Sequence, residues 1–442
     1  MTVSRPDPEE VAKLLKGEMG SGESRRIVRH LISIWRTCRN ELEQIREISR
    51  ASVPSDYQPA FVGLAHRLSH RAWKVAQERE RLPDLIHQLL EKPSTDQLAL
   101  LKTEASFHSW LLGEWLIEES QRSAYVDLDR AEVLASWAVI LVEELVPEVY
   151  GASLVNDLKA RAWACRGEIL RLLSDLRNAE AAFENAESFV DEGTGDALEE
   201  ARILELKAAL YRDQRRAAAA HRLLDEVILI YRQYRDSHLL GRAFIQKGRV
   251  HGSADELNEA ISWLRKGLGL IDPCRERHVD LAARHSLMLY LNESGQPREA
   301  RFLLKASRPE FLQHGSPLLI CRLRWLEGKI YDTLKFPQEA ERALVEARQG
   351  FIELGIGFSA AGASLDLATL YAAQGRAAEV RSLAEEILPI FQSRDLQREA
   401  IGALIAARQA ARVEKGSTQV LAEVRSLLDR ARQDPRLRVE LA

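Results

Sequence analysis

The chain has 442 residues, 46% of them hydrophobic and 29% charged, with a formal net charge of −4 and only 24 glycines and 14 prolines. That leaves ample apolar material for a core and few helix breakers, while the slightly acidic balance argues against bulk binding to nucleic acid or an anionic membrane. The four cysteines, Cys38, Cys165, Cys274 and Cys321, lie too far apart for a disulfide framework and fit a reducing, cytoplasmic setting.

The acidic start, MTVSRPDPEE, predicts no secretory leader, and no apolar run approaches about eighteen residues, so no membrane span is expected. Residues 1–50 read as a small helical module. Its stretch LLKGEMGSGESRRIVRHLISIWRTCRNEL holds His30, Trp35 and Cys38. It resembles the zinc-binding anti-sigma N-domain, in which a helix and a polar turn precede a His-Cys-Cys pattern and a second helix. Trp35 stands where that pattern has its intermediate cysteine, and zinc requires four N, O or S ligands. The resemblance therefore implies a degenerate module without metal, of a kind found on signalling and transcription-control proteins. Gly17-x4-Gly22-Glu23-Ser24 imitates a phosphate loop, but Glu23 replaces the lysine and would repel phosphate, and no strand precedes it.

Residues 51–150 read as irregular helical hairpins that cap the C-terminal array. Two helices are expected over residues 57–92, the second opening at Pro83, where proline is tolerated. His66-x3-His70 has the spacing of a metal pair, but it lacks the glutamate of the metalloprotease motif and reads better as a solvated helix face. Further helices are expected over about Asp96–Gln121 and about Asp129–Leu145.

From residue 151 to the end the chain repeats. The phrase Ala-x3-(Phe/Leu)-x2-small occurs at Ala179, Ala220, Ala260, Ala300 and Ala340, with weaker copies at Val380 and Val420; the first step is 41 residues and each later one 40. Twelve residues before each of the first six copies stands Gly167, Ala208, Gly248, Met288, Gly328 or Ala368, followed three residues on by Leu170, Tyr211, His251, Leu291, Tyr331 or Tyr371. Trp163 completes the first copy. The phrases resemble the tetratricopeptide pattern, with a repeat of 40 residues rather than about 34 and without its closing proline, to which Pro273 comes nearest. The longer repeat is similar to the arrays of kinesin light chains and bacterial peptide-sensing regulators. The expected fold is all-α: a right-handed α-solenoid of about seven TPR-like helical hairpins over 151–442, each with a helix A and a helix B, and an irregular helical N-terminal region. The small residues let the paired helices approach, and the aromatic or leucine side chains fill the remaining gap.

The resemblance also implies a concave wall built by helices A. Its contact positions fall on Arg161, Arg202, Arg242 and Arg322, on Arg249 and Lys329, and on Asn292 and Trp325, with Glu168, Arg171, Arg212 and His285 beside them. A ladder of guanidinium groups suits an extended ligand carrying carboxylates, and a tryptophan is a typical binding anchor. The same arginines can instead pair with acids of the array, Glu168 and Glu205 being candidates. There is no Cys-x2-Cys, no G-x-S-x-G and no nucleophile beside a base, so no catalytic residue, metal or cofactor is expected. No aromatic stacking series accompanies the basic residues, which disfavours nucleic acid. The function read here is a non-enzymatic scaffold or adaptor that binds a partner protein or peptide segment of acidic character. Alternatives are a ligand- or peptide-responsive regulatory sensor and a structural subunit of a larger assembly. The oligomeric state is left open.

Overall fold

The computed structural model describes residues 58–92, 94–124, 126–380 and 382–383, with side chains from residue 73 onward except at 93–96 and 358. The anti-sigma-like stretch with His30 and Cys38, the side chains of His66 and His70, and the weak repeat copies beyond Val380 lie outside the described residues. All regular structure among the described residues is helical: α1 (Gln58–Glu91), α2 (Ser94–Thr103), a 3-10 turn (Ala105–Phe107), α3 (Trp110–Ser123), α4 (Leu128–Glu143), α5 (Pro147–Tyr150), α6 (Ala152–Leu172), α7 (Leu176–Asp191), α8 (Ala197–Asp213), α9 (Ala217–Gln233), α10 (Ser237–Ser253), α11 (Leu257–Leu268), α12 (Arg277–Glu293), α13 (Pro297–His314), α14 (Pro317–Thr333), α15 (Pro337–Glu353) and α16 (Gly357–Ala373). The fold is an all-α solenoid of TPR-like hairpins. No helix among the described residues is long and apolar enough to cross a membrane. The chain divides into two compact units, one ending at Leu210 and one beginning at Tyr211.

In the first unit, two expectations give way. Where two helices were expected over residues 57–92, Gln58–Glu91 form one, with Pro83 inside it rather than at a start. Proline removes one helical hydrogen bond, and here it sits on an exposed stretch where water can satisfy the freed carbonyl. The helix expected over Asp96–Gln121 is broken into α2, the 3-10 turn and α3. The break is built by Ser109, whose Oγ accepts from Leu112 N as the N-cap of α3 and donates to Glu78 Oε2 at 2.7 Å. Glu78, 6% exposed, also accepts from Leu111 N and from the Tyr150 hydroxyl. A buried carboxylate is tolerated only with such partners, and these three tie α1 to the start of α3 and the end of α5. Burial, and then Glu78, hold the Tyr150 hydroxyl well above its ordinary range.

The second unit is strictly periodic. Helices B (α9, α11, α13, α15) begin at 217, 257, 297 and 337, and helices A (α10, α12, α14, α16) at 237, 277, 317 and 357. Their starts are set by local chemistry: Asp236 and Ser316 accept from backbone N–H groups at N-caps, and Pro297, Pro317 and Pro337 occupy the first turn. The prolines thus punctuate helix starts rather than closing a repeat, and Pro273 lies in the turn between α11 and α12. The A-to-B turns share one device. Residues 215, 255, 295, 335 and 375 all have positive φ, and the next N–H bonds the carbonyl of Tyr211, His251, Leu291, Tyr331 or Tyr371. That is the Schellman cap. Glycine fills the left-handed position only at Gly295 and Gly375; Arg215, Asp255 and Lys335 fill it elsewhere.

The small residues of the repeat do what their spacing predicts. A Cβ at Gly248 would lie 2.9 Å from Leu264 Cγ and 3.0 Å from the Ala260 carbonyl, and one at Gly328 would lie 2.6 Å from Leu344 Cγ. In the first unit Gly167 faces the ring of Phe183 in the same way. Phe183, Leu264 and Leu344 are all essentially buried.

Candidate functional site

In the first unit the expected contact arginines are engaged with acids of the same unit. Arg161 on α6 pairs with Glu114 on α3 at 2.6 Å. Burial alone would favour its neutral form, but Glu114, Glu199 and Asp157 outweigh that and hold the guanidinium charged. Arg202 on α8 lies 3.4 Å from Glu205, itself 1% exposed, and Arg171 grips Glu168 at 2.7 Å. Glu168 and Glu205, the acids named from the sequence, are used as partners.

The second unit sorts the remaining residues into three kinds. Arg242 on α10 is only 3% exposed and binds Glu276 at 3.0 Å. Glu276 also lies 3.6 Å from His238 Nε2, while His238 Nδ1 accepts from Asp272 N. Arg242 therefore locks α10 to the turn before α12 and presents no open guanidinium. Trp325 on α14 and Asn292 on α12 are likewise drawn inward. The indole N–H of Trp325 donates to Asp366 Oδ2 at 2.7 Å, its ring meets Phe351 edge-on at 5.8 Å, and it fills the space over Gly362. Asn292 is 8% exposed, and its buried Oδ1 has no hydrogen-bond partner.

Arg249, Arg322 and Lys329 are different, because the structure brings them together. They come from α10 and α14 and converge on His285 of α12, between those helices. The His285 Nε2 lies 3.3 Å from the Arg322 carbonyl; a carbonyl only accepts, so the imidazole is the tautomer protonated at Nε2. Burial pushes the His285 pKa down to about 4, and the positive charges of Arg322, Arg249 and Lys329 push the same way against that hydrogen bond. Arg322 is exposed and the other two cations are half-buried, Lys329 lying 3.6 Å from Glu293. Arg249 and Arg212 also act on the buried Tyr290 hydroxyl of α12: burial raises its pKa and the two arginines oppose that. Three cations from α10 and α14 thus act on a histidine of α12, with Glu293 beside Lys329.

What sequence reading missed are the acids that engage the expected contact residues. Glu114, Glu276 and Asp366 stand 47, 34 and 41 residues from Arg161, Arg242 and Trp325, and no spacing rule within a helix marks such pairs. The described cysteines, Cys165, Cys274 and Cys321, are free thiols, and burial pushes Cys165 up to about 12, as befits a thiol that only packs.

No protein-family model matches the chain, and no curated protein sequence matches it either. Among solved structures it is similar to a signal-transduction ATPase with numerous domains (STAND) protein with a tetratricopeptide repeat sensor from Pyrococcus horikoshii. The TM-score is 0.51 at 16% identity, over 81% of this chain and 53% of that one, so the chain spans about half of that protein's length. It is also similar to a Rap protein complexed with competence and sporulation factor (TM-score 0.49, 15% identity, 95% and 100% covered) and to aspartyl phosphate phosphatase F from Bacillus subtilis (TM-score 0.47, 13% identity, 89% and 96% covered). The likeness to the repeat sensor is one of fold.

Proposed function

We propose that the chain is a non-enzymatic interaction scaffold of a reducing compartment, and that it captures an acidic peptide or partner segment on the face of α10, α12 and α14. The observation that supports this reading is the convergence of Arg249, Arg322 and Lys329 on His285. Cations placed close enough to depress a histidine between them also favour a carboxylate-bearing ligand, which gains charge-assisted hydrogen bonds and relieves their mutual repulsion. Arg161, Arg202 and Arg242 are not among the cations that act on His285; they pair with Glu114, Glu205 and Glu276. A regulatory, signalling role in which ligand binding stiffens the array uses the same face.

The test is retention of fluorescent peptides from a library graded in Glu and Asp content by the full chain and by Arg322→Glu with Lys329→Glu. Wild type is expected to select acid-rich peptides, with affinity falling as salt rises. The double variant should lose at least about tenfold, since each lost charge-assisted bond contributes about 1.5–3 kcal/mol. Equal retention by both proteins would remove this face from the account. A peptide that also raises the melting temperature would identify the ligand-responsive form of the function.

A further inference from the structure

The 40-residue register lets the same three positions be compared along the second unit: one on a helix B, one near the end of the next helix A, and one just past the left-handed turn. On α15 and α16 they are Glu341, Tyr371 and Arg376. The Tyr371 hydroxyl donates to Glu341 at 2.9 Å, and Arg376 pairs with Glu341 at 2.8 Å while lying 4.1 Å over the Tyr371 ring. On α13 and α14 they are Arg301, Tyr331 and Phe336, with Arg301 over the Phe336 ring at 5.5 Å and Phe336 edge-on to Tyr331 at 6.3 Å. In both places the three side chains latch the A-to-B turn onto the helix before it.

On α9 and α10 the same positions hold His221, His251 and Glu256. One ligand atom from each lies within 4.8 Å of the others. The imidazole rings are 4.3 Å apart, and His251 Nδ1 is 2.5 Å from Glu256 Oε2. His221 Nδ1 is buried without a hydrogen-bond partner. The other latches satisfy themselves; this one leaves a buried imidazole nitrogen over, which calls for an ion or a water. Two imidazoles and a carboxylate are a donor set for a divalent transition metal rather than for magnesium or calcium, which take oxygen. Zinc bonds of about 2.0–2.2 Å need ligand atoms a little over about 3 Å apart, so side-chain shifts of about an ångström close the site. Lys247 and Asp225 face the same histidine and are paired with each other, so they bring no net charge against a cation.

We propose that His221, His251 and Glu256 form a binding site for one zinc-class divalent ion, with solvent completing the coordination, which staples α9 to the α10–α11 turn. The site shares no residue with the peptide-binding face. Its test uses the full chain, stripped with chelator and titrated at neutral pH with zinc chloride and separately with cobalt chloride. Wild type should bind one more equivalent than His221→Gln, show cobalt visible bands that the variant lacks, and gain melting temperature with zinc where the variant does not. A second variant, His221→Glu with His251→Tyr and Glu256→Arg, rebuilds the latch of Glu341, Tyr371 and Arg376. It should keep the circular dichroism of wild type and lose the same equivalent. Equal metal stoichiometry in wild type and the rebuilt latch, or cobalt spectra that do not differ, would overturn the site.

Discussion

Single residues hold this array together largely through side chains that are absent. Gly248 lets α10 approach α11 until the space for one methyl group is gone, and its neighbours include the Ala260 carbonyl and the Leu264 N–H as well as the Leu264 side chain. Backbone cannot step aside as a flexible side chain can. Gly248→Ala is therefore expected to destabilise the second unit by about 1–3 kcal/mol through overpacking, with Gly328→Ala in the same range because Leu344 is buried and cannot swing clear. Alanine is the better helix former by about 0.8–1 kcal/mol, so a packing-free site would give the opposite sign. Urea unfolding of each variant decides between them, and a gain in stability at either position would show that the helices do not meet there as described.

Each hairpin is governed by its turn, and the turn's strain can be weighed against itself because the register is so regular. Gly295 and Lys335 occupy equivalent positions with φ of 81° and 63°, and nothing lies within 4 Å of a Cβ placed at Gly295. Any cost of a side chain there is conformational. Gly295→Ala should lose about 1 kcal/mol, since a left-handed residue with a Cβ costs about 1–2 kcal/mol. Lys335→Gly should gain about 0.5–1 kcal/mol once the greater freedom of glycine in the unfolded chain is subtracted. Thermal unfolding of the pair checks both signs, and a loss at Lys335→Gly would mean that its side chain contributes more than its backbone costs. The same turns show what was legible in the sequence. The hairpins were readable because a small residue, an aromatic or leucine, and an alanine recur with one period, and burial leaves little freedom at those positions. The left-handed turn residues were not, since arginine, aspartate and lysine at 215, 255 and 335 carry no turn signal of their own. Nor was the break at Ser109, where apolar spacing runs on across the α2–α3 boundary and the reason for stopping is Glu78, 31 residues upstream. Of the candidate site, the periodic cations could be seen, but which of them are neutralised depends on acids that obey no period.

At the scale of the whole molecule, burial together with the positive charges of Arg322, Arg249 and Lys329 sets the charge state of His285 in the second unit. Its pKa falls from an unfolded value of about 6.5 to about 4 when folded. Between those values the unfolded chain carries a proton that the folded chain refuses, so stability is complete above about pH 6.5 and is lost as the pH falls towards 4. For this half-buried group the loss amounts to at most about 3 kcal/mol. His285→Gln keeps an N–H for the Arg322 carbonyl but cannot titrate. Urea unfolding of the second unit should therefore show a steeper fall in wild type than in His285→Gln between pH 6.5 and 4, with the two alike above pH 7. Parallel curves would mean that neither burial nor the cations act on the ring as described. A carboxylate-bearing ligand on this face must change the same balance: by cancelling part of the positive field it raises the His285 pKa above its folded value of about 4, so binding takes up a proton and strengthens as the pH falls towards that value. Calorimetric titration of an acid-rich peptide in two buffers of different ionisation enthalpy measures that uptake directly. It should vanish in His285→Gln while affinity at pH 7 is kept, because at that pH the histidine is neutral and the grip belongs to Arg249, Arg322 and Lys329.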